Sequence, residues 1–81
     1  DELTRLAERL VGGEDATVRL TARELDVLTQ VALGCSNAVA AKRLSLRTET
    51  VKSYLRSAAA KLGAHTRHEA VSKARRAGLL P

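Results

Sequence analysis

The sequence predicts an all-α fold, a compact arrangement of four helices preceded by a short leading one. Three observations predict it. Apolar residues recur every three to four positions, the period of a helix face, and no segment alternates as a strand would. Two Thr-x-x-Glu pairs, Thr21 with Glu24 and Thr66 with Glu69, have the spacing of a capping box that opens a helix. The single proline is Pro81, the last residue, so no helix is broken from within.

Residues 2–11 put Leu3, Leu6, Ala7 and Leu10 on one stripe, and Gly12-Gly13 ends the pattern before a polar connector. Residues 1–19 therefore read as a linker helix and connector, and residues 20–81 as the domain proper. Thr21 opens the next helix, with Leu20 and Leu25 set as a hydrophobic staple. It runs through Leu25, Leu28 and Ala32, widened by Val27 and Val31, and stops at Gly34. Ser36 can cap a second helix, Asn37–Leu44, with Val39, Ala40, Ala41 and Leu44 as its apolar positions. The turn Ser45-Leu46-Arg47 leads to a third helix, Thr48–Leu62, closed by Gly63. The last runs from the Thr66 cap through Ala70, Val71 and Ala74 to Gly78. Lys73, Arg75 and Arg76 fall near its C-terminal end, where the helix dipole favours cations.

Eighty-one residues allow one domain with one small core, and Tyr54 is the only aromatic side chain available to build it. The chain holds no Met and starts at Asp1, and it is expected to be the C-terminal piece of a longer protein. No apolar run approaches the roughly 18 residues of a membrane span, and there is no secretory leader. A lone cysteine, Cys35, cannot make an internal disulfide, so the cytoplasm is the expected compartment.

Charge is unevenly placed. The net value is +5, with residues 1–20 acidic and residues 21–81 carrying eleven bases against four acids. A compact segment that basic suits a polyanionic partner. Wrapping Thr48–Leu62 at about 100° per residue separates two faces. Val51, Leu55, Ala58, Ala59 and Leu62 share one side and must face the core. Glu49, Lys52, Ser53, Arg56 and Ala60 lie opposite, a polar, modestly basic ridge with small residues that let it sit deep in a groove. A short helix, a three-residue turn and a second helix with such a ridge match the helix-turn-helix plan, in which the second helix enters the major groove of duplex DNA.

The run from Leu20 to Val71 also closely resembles the LuxR-type DNA-binding domain, shared by quorum-sensing regulators and NarL/FixJ-type response regulators. The matching pieces are LTxRE, V-A-x-G-x-S-N, T-V-K, K-L-G and R-x-x-A-V, in order and with the family's spacing. The resemblance implies a four-helix, winged-helix-like domain without a wing, whose third helix is the reader. It places base contacts on Lys52, Ser53 and Arg56. It places phosphate contacts on Ser36, Asn37, Thr48, Thr50, Tyr54 and Lys61, and Arg47 adds another where the family usually has Ser. The fourth helix resembles the family's dimer interface, which implicates Val71, Ala74, Arg75 and Gly78. Val39-Ala40 stands where Glu-Ile is usual, and Tyr54 where His is frequent.

The expected partner is double-stranded DNA, bound by a homodimer. Two other readings keep the fold: a sigma-factor region-4-like module docking on RNA polymerase, and a protein-interaction or dimerisation module. Enzyme activity is not expected, for there is no nucleophile–base set, phosphate loop or carboxylate pair. No cofactor is expected. Cys35, His65 and His68 lack a fourth ligand and a zinc spacing, so no metal is expected either. One aromatic is too few for a single-strand stacking platform. Cys35 reads as a plain small residue, and Glu24 as a cap with an ion pair to Arg67 or Arg23 as a secondary role.

Overall fold

The computed structural model describes residues 18–81, in which four helices follow one another: α1 (Ala22–Ala32), α2 (Asn37–Leu44), α3 (Thr48–Leu62) and α4 (Arg67–Arg76). The leading helix expected over residues 2–11 and most of its connector lie outside the described residues.

Each boundary has a local cause. Thr21 Oγ1 accepts from the Glu24 amide at 3.1 Å, and the Glu24 carboxylate accepts from the Thr21 amide at 2.8 Å, so the capping box is complete in both directions. Ser36 Oγ caps α2 by accepting from the Val39 amide at 3.2 Å. The cap forms although the Glu-Ile pair usual in the family is absent. Ser45 then takes a left-handed conformation (φ 58°), and the chain turns from α2 into α3 within three residues. Gly63 closes α3 at φ 66°, where a β-carbon would be strained. Thr66 Oγ1 accepts from the Glu69 amide at 3.0 Å, but here the box is not reciprocal: Glu69 Oε1 accepts from the amide of His65, one residue earlier.

α3 is the axis of the domain and packs against all three other helices. Two apolar clusters flank it. One joins Leu28 of α1, Leu62 of α3 and Ala70, Val71 and Ala74 of α4 with Leu80 of the tail. The other joins Val27, Ala40, Ala41 and Val51, with Leu44, Leu46 and the Tyr54 ring against it. Leu55 touches both. Small residues dominate, and helices that meet over alanine approach closely without large side chains between them. Val18 and Leu20 already pack on the first cluster, so the apolar core reaches back to the start of the described chain.

Candidate nucleic-acid interface

The inward side of α3 is buried at Val51, Ala58 and Leu62, and this fixes what its other side presents. Lys52, Ser53, Arg56 and Ala60 are exposed along one ridge, as the helical period demands. Lys52 Nζ lies 3.5 Å from Glu49 Oε1, both well exposed, a pair worth little in water and easily exchanged for another anion. The three residues expected to touch bases are thus brought together on one accessible ridge.

The N-terminus of α3 adds a second feature. Arg47 stands at the cap and its side chain makes no hydrogen bond to the helix. The first amides of α3, at Thr48, Glu49 and Thr50, receive no side-chain acceptor from the cap, and they carry the positive end of the helix dipole. Thr48 and Thr50 are half-buried beside them, and Arg47 is exposed. Ser36, engaged as acceptor in the α2 cap, keeps its hydroxyl hydrogen to donate. Asn37 follows it, half-buried, with its Oδ1 buried and lacking a hydrogen-bond partner. The Tyr54 ring packs on the second apolar cluster, which makes it first of all a core side chain.

Some expected roles are corrected by packing. Lys61 Nζ lies 2.8 Å from Glu24 Oε1 while its side chain stays 41% exposed, so its charge is shared with a carboxylate of the protein itself. Glu24 is 3% exposed and also accepts from the Ser57 hydroxyl. Its ion-pair partner is therefore Lys61, not Arg67 or Arg23. Arg23 faces Asp26 at 3.7 Å, and Arg67 Nη2 donates to the carbonyl of Cys35 at 3.0 Å. Burial by itself would raise the Glu24 pKa. The hydrogen bonds from Lys61 and Ser57, the Thr21 amide and the Lys61 charge outweigh burial and hold it at about 2, below its ordinary 4.5. The only sequence hint of this network was that Ser57 and Lys61 stand four apart on the flank of α3.

The expected dimer contacts divide as well. Val71 and Ala74 lie in the domain's own core, at 7% and 0% exposure, so neither can meet a second copy. Burying the inward stripe of α4 against Leu28 and Leu62 uses these side chains up. Arg75 and Gly78 are exposed, with Arg75 Nε donating to the Pro81 carbonyl at 3.2 Å.

Among the described residues the four acids Glu24, Asp26, Glu49 and Glu69 each face a cation: Lys61, Arg23, Lys52 and Lys73 in turn. Arg43, Arg47, Arg56 and Arg67 have no carboxylate partner among these residues. Arg19, Lys42 and Arg76 have none either, so the surplus positive charge runs over α2, α3 and both ends of α4. Among the described residues no group of acids, histidines and cysteines could hold a metal, and no helix is long and apolar enough to cross a membrane.

The family described as bacterial regulatory proteins, luxR family, matches residues 18–74. The HTH-type transcriptional activator RamA of Corynebacterium glutamicum is 63% identical over 65 residues, which cover 80% of this chain and 23% of that relative. The chain thus spans less than a quarter of the relative's length. No solved structure matches. With the capping box, the helix-turn-helix and the exposed ridge of α3 all within the matched stretch, the chain belongs to the luxR family of bacterial regulatory proteins.

Proposed function

We propose that this domain is the sequence-specific DNA-binding part of a bacterial transcription regulator, with α3 seated in the major groove of duplex DNA. The observation that carries the reading is the ridge of Lys52, Ser53 and Arg56, exposed on a helix whose other side is anchored by Val51, Ala58 and Leu62. A major groove about 12 Å wide admits such a helix, and lysine or arginine on its ridge can donate to guanine O6 and N7. The relative's name, a transcriptional activator, supports the same role.

Division of labour follows from the chemistry of each group. Arg56 and Lys52 select sequence, and Ser53 contacts an adjacent base edge. The uncapped amides of α3, with Thr48, Thr50 and Arg47, hold one phosphate run. Ser36 and Asn37 at the start of α2 hold another. Phosphate pairing supplies most of the affinity, which falls steeply with salt. Two copies acting on half-sites about 10 base pairs apart, or a multiple, would meet through the exposed end of α4 near Arg75 and Gly78.

The test begins with selection of bound fragments from random duplex DNA, followed by titration of the selected and a scrambled duplex. Arg56→Ala is expected to reduce the difference between them by about 1–3 kcal/mol while leaving scrambled DNA little changed. Equal losses on both duplexes would make Arg56 a phosphate contact and refute the assignment. Absence of duplex binding at low salt would refute the function.

A further inference from the structure

We propose, resting on the DNA-binding reading above, that an open groove between α3 and the start of α4 seats a backbone phosphate of the bound duplex, with Arg67 as the cation that meets it. The groove has a volume of about 380 Å³. Lys52 and Arg56 form one wall, His65 and Arg67 the other, Asn37 contributes from α2, and Ala60 keeps the α3 side low. It is therefore continuous with the reading ridge, because Lys52 and Arg56 belong to both.

Three observations point to an anion. No carboxylate lines the groove; the nearest ones on the flanking helices, Glu49 and Glu69, face Lys52, and His65 and Lys73. Neither Arg56 nor Arg67 has a carboxylate partner among the described residues. Arg67 is also held in place, since its Nη2 donates to the Cys35 carbonyl at 3.0 Å. That bond ties the guanidinium to the residue just before Ser36 and Asn37, where α2 begins and one phosphate run is already expected. A guanidinium has five N–H donors in a fixed fork, so one bond to a carbonyl leaves others to meet a phosphate oxygen.

The geometry of a helix in the major groove supplies the occupant. Phosphates line both edges of that groove, so a duplex seated on the α3 ridge carries a sugar–phosphate strand past each flank of the helix. The wall formed by His65 and Arg67 stands on one such flank. Arg67 thus has two roles: it pins the α1–α2 turn to the start of α4, and it extends the phosphate-binding surface beyond the helix-turn-helix.

The test is a salt series of anisotropy titrations with the 81-residue chain, using a labelled selected duplex and a scrambled one. Three variants are compared: Arg67→Gln, His65→Glu and, as a control on the far side of the domain, the exposed Arg76→Gln. Arg67→Gln is expected to weaken both duplexes by the same factor and to reduce the slope of log affinity against log salt by about one. His65→Glu sets a carboxylate in the groove on a side chain that is 91% exposed, and it is expected to weaken both duplexes about equally, with circular dichroism checking that the domain stays folded because the new carboxylate also faces Glu69. Arg76→Gln is expected to leave both affinities and the salt slope close to those of the unaltered chain. A folded Arg67→Gln with unchanged affinity and slope overturns the proposal. Should Arg67→Gln fail to fold, unchanged affinity in His65→Glu overturns it, and weakened affinity upholds it. If the unaltered chain binds neither duplex at low salt, the DNA-binding reading has failed and the groove assignment goes with it. If it binds and the groove variants bind equally well, only the groove assignment has failed.

Discussion

At the residue scale, similar charges have different fates. Lys61 and Arg56 stand five apart on α3 and both are exposed, yet Lys61 reaches a buried carboxylate and Arg56 has no acid to face among the described residues. Burial decides the energetics of the first. The Glu24 carboxylate is held at about 2 against an ordinary 4.5, so its folded pKa is depressed. Its contribution to stability is complete above the ordinary value and is lost as pH falls through 4.5 toward 2, a change of about 3 kcal/mol for a shift of this size. Glu24→Gln is therefore expected to lower stability at neutral pH and to flatten the pH dependence of the melting temperature between about pH 5 and 2. Melting followed by circular dichroism across that range checks it. A Gln variant that stays as acid-labile as the original chain would mean another carboxylate governs acid unfolding.

At the element scale, the least supported helix start belongs to the helix that carries the exposed Lys52, Ser53 and Arg56 ridge. α1, α2 and α4 begin at Thr21, Ser36 and Thr66, each with a side-chain cap, whereas α3 begins at Arg47 with none. An uncapped start leaves amides whose natural acceptor is a phosphate oxygen. Arg47→Ser is expected to supply the missing cap, stabilise the free domain by about 1 kcal/mol and raise its melting temperature by several degrees. The same change removes a cation, so affinity for selected and scrambled DNA should fall together. Loss of affinity on the selected duplex alone would show Arg47 reading sequence instead. α4 illustrates a different balance: its inward face is spent on the core, which leaves its exposed C-terminal end for any contact between copies.

At the scale of the whole molecule, a domain this small has little buried apolar area to set against chain entropy, so each buried side chain counts. The tail takes part, for Leu80 is 6% exposed in the same cluster as Leu28, Leu62 and Val71. Leu80→Ala is expected to cost about 2–3 kcal/mol and lower the melting temperature by roughly 10 °C or more, although the residue lies beyond the last helix. An unchanged melting temperature would show that the tail is dispensable. α3, clamped between two clusters and touching every other helix, presents its ridge on a rigid support. That is the property a reading helix requires, since base contacts demand fixed side-chain positions.

The helices, their caps and the outward face of α3 were legible in the sequence because they depend on contacts three or four residues apart. Thr21 meets Glu24, Ser36 meets the Val39 amide, and Lys52, Ser53 and Arg56 share a ridge by helical period alone. The tertiary structure decided what depends on distant partners. Glu24 found Lys61 and Ser57, more than thirty residues away, in place of Arg23 or Arg67. Arg67 reached the Cys35 carbonyl, and Val71 and Ala74 went into the core and not to an outer surface. Periodicity says which residues lie on one face of a helix; only the packing of the other helices says whether that face meets water, a second copy or the protein itself.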